Sequence, residues 1–307
     1  MNISTFKLAG FFICATVLGC SGGNEASNET SISSISGQQQ IIADADNGDC
    51  SNLDNGPLIQ PYPVLDTRTY EGVWDFAGRS KTFESISSTI MGLDYRYHIY
   101  LPPEYDLEAN VKFPVVYRLD GQWGFDFYSR TLDVEQRPVI LVAIQDEGRR
   151  GTDYLWPGIS NYYRFFTEEF IPHIESQYRA SPDNRTLTGT SAGGVASLFI
   201  MLLDEGPDVI FTNHFALDPA VFIGAAQIEN MIDNRVDDGM AWNKNLVITS
   251  TSEGGFSGTV IPFTDCLAAR NIDGLDISEA AYSVIHTDAD GASLSVALDI
   301  IYGPPQN

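Results

Sequence analysis

The stretch Arg185–Phe199, RTLTGTSAGGVASLF, sets Ser191 between Gly189 and Gly193, with Gly194 directly behind. The five letters G-T-S-A-G mean little alone, because serines between glycines recur by chance. The flanks carry the reading. RTLTG has the alternating, β-branched character of a short strand, and AGGVASLFIMLL is an apolar run of helical length. A strand that turns sharply into a helix at a serine is a nucleophile elbow: the turn strains the serine's backbone and its crowded flanks admit only small side chains. Ser191 meets each requirement. Its Oγ is expected at the carboxyl end of a sheet, beside the N–H groups of the helix that follows.

The neighbouring segments keep the same rhythm. YRYHIYL (Tyr95–Leu101) alternates and runs into Pro102 and Pro103, which suits a strand near a sheet edge. FPVVYRL (Phe113–Leu119) and PVILVAI (Pro138–Ile144) read as strands covered on both faces. NYYRFFTEEFIPHIESQYR (Asn161–Arg179) places Phe166, Phe170, Ile174 and Tyr178 at four-residue spacing, one stripe of a helix, and Pro172 predicts a kink or a fresh first turn. NHFALD, NLVITST and AYSVI follow as strands, with a helical stretch after Phe263 and a closing helix LSVALDIIYG. Strands alternating with helices predict an α/β fold, its central sheet mostly parallel and flanked by helices on both faces.

A nucleophilic serine needs a base, and the chain has four histidines. His98 falls in an early strand, His173 in the helix before the elbow, and His214 at the start of the strand after it. His286 instead follows AYSVI, opens the loop HTDADGAS and comes late in the chain, as the order serine, acid, histidine requires. From there Nε2 would accept the hydroxyl proton and return it to the leaving group. The acid that orients the imidazole has several candidates. Glu253, just past LVITSTS and followed by Gly254 and Gly255, is the first choice; Asp218, after HFAL, is the second and Asp265 the third. A Ser-His dyad without a charged partner stays open.

The N-terminus has a different character. MNISTFKLAGFFICATVLGC carries one cation, Lys7, before an apolar run from Leu8 to Leu18 that is too short for a permanent membrane span, so residues 1–19 read as a signal peptide. Val17-Leu18-Gly19-Cys20 resembles the bacterial lipobox, which makes Cys20 the expected site of lipid attachment. Residues 20–66, rich in Ser, Gly, Asn, Gln and Asp, are too polar to bury a core and read as a tether; residues 67–307 form the folded domain. Of the remaining cysteines after export, Cys50 and Cys266 either pair as a disulfide or stay free thiols. The balance of 17 basic to 41 acidic residues, a net charge of −24, excludes binding to nucleic acid and leaves a lipid anchor as the only expected tie to membrane.

Three segments carry a family resemblance, in order along roughly Thr82–Gly303: FESISSTIMGLDYRYHIYLPPEYDLEANVKFPVVYRLDGQW, FFTEEFIPHIESQYRASPDNRTLTGTSAGGVASLF and HTDADGASLSVALDIIYG. Together they resemble the putative-esterase family of α/β-hydrolases, whose members include siderophore, feruloyl and acetyl xylan esterases, S-formylglutathione hydrolase and mycolyltransferases. The resemblance implies that Ser191 is the nucleophile and His286 the base, with Glu253 where several members carry their acid. It implies an oxyanion hole of two backbone N–H groups, those of Gln122 and Ala192, and a substrate cleft that includes Trp123 and the loop GRRGTDYLWP (Arg149–Pro157). The last segment is nearer to the siderophore-esterase branch. FALDPAVF (Phe215–Phe222) departs from the family, many of whose members read Ser-Pro-Ser and an aromatic there.

The sequence thus predicts an exported serine esterase of the bacterial cell envelope, working without metal or cofactor on a siderophore-type ester or on an acyl or feruloyl ester of a polysaccharide. An acyltransferase of the same fold would differ only in the acceptor of the acyl group. A non-catalytic surface lipoprotein is the third reading.

Overall fold

In the computed structural model, which describes residues 31–35, 76–206 and 208–305, the β-branched runs assemble into a nine-stranded sheet. The strands are β1 (Ser31–Ile35), β2 (Arg79–Ser88), β3 (Leu93–Leu101), β4 (Phe113–Arg118), β5 (Ile140–Ile144), β6 (Ala180–Thr190), β7 (Asn213–Leu217), β8 (Lys244–Glu253) and β9 (Leu275–Ile285), in the spatial order β1-β9-β8-β7-β6-β4-β5-β3-β2. The six strands from β9 to β5 run parallel, while β1, β3 and β2 pair antiparallel at the two sides. The mostly parallel α/β sheet expected from the sequence is therefore present, with YRYHIYL one strand in from an edge. SISSI, within the stretch read as a tether, forms the outermost strand on β9; its two β-branched isoleucines, Ile32 and Ile35, favour a strand.

The helices are α1 (Glu104–Leu107), α2 (Gly121–Val134), α3 (Arg150–Asp153), α4 (Gly158–Phe165), α5 (Ile171–Gln177), α6 (Ala192–Leu203), α7 (Ala225–Asp237), α8 (Ser257–Ala269) and α9 (Ala289–Tyr302). Strand alternation distributes them over both faces. Val115 and Tyr117 of β4, Ile140 and Val142 of β5, and Leu246 and Ile248 of β8 pack with the apolar faces of α4 to α8. Their neighbours Val116, Leu141 and Val247 face the other way, against Phe125, Tyr128 and Leu132 of α2 and Leu294, Ala297 and Leu298 of α9. Phe166, Phe170 and Ile174 are buried as their spacing predicts, and the break at Pro172 takes the form of a π-helical turn, Phe166–Phe170, with the proline in the first turn of α5.

Parallel strands with β6 at the centre bring the carboxyl ends of β4, β6, β7 and β8 side by side: Gln122 and Trp123 follow β4, Ser191 and Ala192 follow β6, Asp218 follows β7 and Glu253 ends β8, while His286 comes off the neighbouring β9 and Asp265 lies further along, on α8. Cys266, on α8, is disulfide-bonded. Cys50, whose pairing with Cys266 the sequence left open, lies outside the described residues, as do Cys20, the signal peptide and the tether apart from Ser31–Ile35.

Candidate active site

Ser191 is the junction between β6 and α6, with φ 61° and ψ −121°, a conformation that non-glycine residues rarely hold. Three surrounding contacts explain the glycines beside it. A Cβ on Gly189 would lie 2.3 Å from the backbone of Gly193, one on Gly193 would lie 2.8 Å from Asp120 Oδ2, and one on Gly194 would lie 2.9 Å from the Pro219 ring. Hydrogen bonds hold the turn to the strand beside it: Ser191 N–H donates to the Leu217 carbonyl (3.1 Å), and Ala220 N–H to the Ser191 carbonyl (3.2 Å). Ser191 itself is buried, and its Oγ has no hydrogen-bond partner among the described residues. A buried hydroxyl left unpaired calls for an explanation, and a nucleophile awaiting substrate supplies one.

The two expected oxyanion donors both fall in first turns. Ala192 opens α6, and Gln122 is the second residue of α2, so neither backbone N–H has an intrahelical acceptor. The turn from β4 into α2 is made by Asp120 in the left-handed region (φ 57°), and a Cβ on Gly121 would lie 2.6 Å from the Ala143 carbonyl. Arg150 fastens this turn to the elbow: its guanidinium makes a forked ion pair with Asp120 (2.9–3.2 Å) and donates to the carbonyl of Thr190 (2.9 Å). The same guanidinium lies 5.3 Å from the centre of the Trp123 ring, whose outer face is exposed. Trp156, in the Arg149–Pro157 loop, is exposed as well.

His286 follows β9 in a single 3-10 turn, His286–Asp288, and its Nδ1 lies 2.6 Å from Asp218 Oδ2. Asp218 is fully buried just past β7, one residue from Leu217, which the Ser191 N–H holds. Its carboxylate also accepts from Thr251 N–H (2.9 Å), Thr251 Oγ1 (2.6 Å) and Phe256 N–H (3.1 Å). These three donors, with the imidazole on Oδ2, fix the plane of the buried carboxylate. The Phe256 ring packs against the imidazole at 4.6 Å, with Phe222 5.3 Å behind it.

The first-choice acid, Glu253, is not at this position. It is exposed at the end of β8, where the β8–β9 register shifts between Thr251 and Glu253 and breaks the alternation that sends Thr251 inward to Asp218. Asp265, on α8, faces Glu279 of β9 rather than the imidazole. The other histidines are elsewhere. His98 and His214 are buried, and burial pushes the first down to about 4 and the second well below the usual histidine value. His173 meets Tyr97 Oη at 2.8 Å. Sequence reading passed over Arg150, Thr251 and Phe256; only Arg150 carried a signal, as part of the loop assigned to the cleft.

Similar architectures are found among solved structures. An IroE-like serine hydrolase from Shewanella oneidensis is 24% identical, with 74% of this chain and 78% of that one covered and a TM-score of 0.61. BES protein from Bacillus cereus is 21% identical over 72% of this chain and 94% of that one, with a TM-score of 0.62. Siderophore hydrolase EstA from Aspergillus nidulans is 17% identical over 73% and 94%, with a TM-score of 0.61. These likenesses identify the α/β-hydrolase fold. Comparison with curated protein sequences finds no match. The family model described as "Putative esterase" matches residues 88–244, just over half of the chain and including the whole elbow. The chain belongs to the putative esterase family.

Proposed function

We propose that this protein is an exported serine esterase that works through an acyl-enzyme. One observation carries the reading: a strained, buried serine with an unpaired hydroxyl sits at the end of β6, and the adjacent strand β7 leads into a buried carboxylate that holds the Nδ1 of His286. Ser191 Oγ attacks the ester carbonyl carbon as its proton passes to His286 Nε2. The carbonyl oxygen becomes an oxyanion facing the first-turn N–H groups of Gln122 and Ala192. Collapse of the tetrahedral species breaks the bond to the alcohol oxygen, which takes the proton from His286 and leaves. Water then repeats the sequence on the acyl-enzyme, releasing the acid and restoring Ser191. Asp218, in place of Glu253, holds the imidazole tautomer and balances its charge while it carries the proton.

Family membership and solved structures named as siderophore hydrolases, alongside one named as a ferulic acid esterase, support a siderophore-type or feruloyl-type ester as substrate. Export and a lipid anchor at Cys20 rest on the N-terminal sequence, and a bond between Cys50 and Cys266 is consistent with both the oxidising compartment and the disulfide-bonded state of Cys266. The test is hydrolysis of p-nitrophenyl acetate and butyrate by the wild type, Ser191→Ala and His286→Ala. Turnover should vanish to near background in both variants; equal turnover in all three overturns the reading. Cys20→Ser should release the protein from membranes, and unchanged membrane association would overturn the anchor.

A further inference from the structure

The helix that follows the candidate base is fastened to the strand that carries the candidate nucleophile. Asp290, in the first turn of α9, lies four residues after His286. Its Oδ2 accepts from Arg118 at 2.8 Å, and its Oδ1 accepts from Tyr128 Oη at 3.2 Å and from the hydroxyl of Thr190. Arg118 also donates to Thr190 Oγ1 at 3.2 Å. Thr190 is the residue immediately before Ser191. Four elements therefore meet at one carboxylate: β4 through Arg118, α2 through Tyr128, β6 through Thr190, and α9 through Asp290 itself.

The site is built around the arginine. Its side chain is 2% exposed against 24% for Asp290, its guanidinium lies 4.8 Å from the centre of the Tyr128 ring, and a Cβ on Gly124 would come within 2.6 Å of its Nε. A buried ion pair contributes little net stability, because desolvation offsets most of the attraction. What such a pair does well is fix the register of the elements that bear it, since leaving either charge alone is expensive.

His286 has need of such a fixture. It stands in a one-turn segment with no buried residue, and its bond to Asp218 fixes the direction of the ring without fixing how far the turn lies from the elbow. Asp290 is the first side chain after His286 to hydrogen-bond into the sheet among the described residues, and the strand residue it grips adjoins the nucleophile. We propose that Asp290 is a positioning residue, which through Thr190 and Arg118 sets the distance between His286 and Ser191. It touches neither the ester nor the reacting atoms. The proposal rests on the serine-esterase reading and adds to it the device that brings base and nucleophile to bonding distance.

The test measures p-nitrophenyl butyrate turnover by the full chain, with active sites counted by fluorophosphonate labelling to completion. Thr190→Val keeps the shape of the side chain and removes its hydroxyl, Thr190→Ser restores the hydroxyl, and Asp290→Asn removes the charge. Misplacement of catalytic groups by about 1 Å costs on the order of a hundredfold. Turnover per labelled site should therefore fall about tenfold to a hundredfold in Thr190→Val and Asp290→Asn, KM should stay within about twofold, and Thr190→Ser should recover most of the rate. The initial labelling rate should slow in parallel, because phosphonylation needs the same proton transfer. Asp290→Asn leaves Arg118 without its counter-charge, so where it lowers the folded yield the Thr190 pair decides. Wild-type turnover per site in Thr190→Val, with only a lower Tm, overturns the proposal, as does a raised KM at unchanged kcat. An inactive Ser191→Ala beside an unimpaired Thr190→Val overturns it while sparing the esterase reading; a fully active Ser191→Ala overturns both.

Discussion

Asp218 Oδ2 and His286 Nδ1 meet at 2.6 Å across 68 residues of chain, each carried beyond the end of a different strand. The carboxylate is fully buried and has its remaining acceptor positions filled by Thr251 and Phe256, so it stands fixed before the imidazole arrives. In the proposed mechanism a carboxylate held in this way orients the ring and would stabilise the imidazolium formed as Ser191 gives up its proton.

Replacing Asp218 by Asn should keep the size of the side chain while presenting the wrong hydrogen-bonding partner to Nδ1. The expected loss in kcat is about 10³- to 10⁴-fold, with little change in KM. Glu253→Gln, in the solvent, should leave both parameters as they are. Steady-state kinetics on p-nitrophenyl butyrate checks the pair, and a greater loss in Glu253→Gln than in Asp218→Asn would reverse the assignment.

Gly189→Ala should be tolerated poorly. Its new Cβ would lie 2.3 Å from the Gly193 backbone, where nothing flexible can give way. The cost is expected to be at least the 1–3 kcal/mol of an overpacked core. Urea denaturation would show it, and a midpoint equal to that of the wild type would mean the elbow has room the structure does not show.

Lys244 and Asp204 form a buried pair at 2.7 Å at the start of β8, the opposite end of the sheet from Ser191. Burial pushes the ammonium down to about 8, with Asp204 opposing the shift. Lys244→Met should cost about 3–5 kcal/mol by leaving the buried Asp204 without its cation, with the N–H groups of Ile210 and Phe211 and the Tyr163 hydroxyl still donating to it. Turnover per folded molecule should not change; a kinetic defect without loss of Tm would contradict this.

Glu279, part-buried on β9, has its carboxyl pushed up to about 7 from 4.5 by burial, with Asp265 adding to the effect. Between those values the folded chain holds a proton that the unfolded chain has released, so this group weakens folding progressively as pH rises from 4.5 to about 7, and above that the penalty stays constant. Glu279→Gln removes the ionisation. Its Tm should exceed that of the wild type at about pH 8 and match it near pH 4, where the carboxyl is protonated in both states. An equal Tm difference at both pH values would rule the carboxyl out as the cause.

The elbow was legible in the sequence because its causes are local: β-branched residues before the serine, small residues beside it, an apolar helix after it. His286 was legible from its place late in the chain. The acid was not, because Asp218 and Glu253 both stand at the ends of neighbouring strands, and composition does not say which end lies under the imidazole. A shift in register between Thr251 and Glu253 decides it. FALDPAVF, which stood out as a departure from the family pattern, is where the carboxylate was. The contacts of Arg150, which the sequence placed only in the cleft loop, and those of Asp290 were hidden for a related reason, since each reaches a residue brought near only by the parallel sheet.

The backbone at Ser191 has a last consequence. A non-glycine residue at φ 61° and ψ −121° costs on the order of 1–3 kcal/mol, which Ser191→Gly would recover at a stroke. The residue proposed as the nucleophile is thus also among the least comfortable of the described residues, and the variant without its hydroxyl is expected to be the sturdier molecule. On the proposed reading, stability is given up at this one position to keep a hydroxyl that glycine lacks.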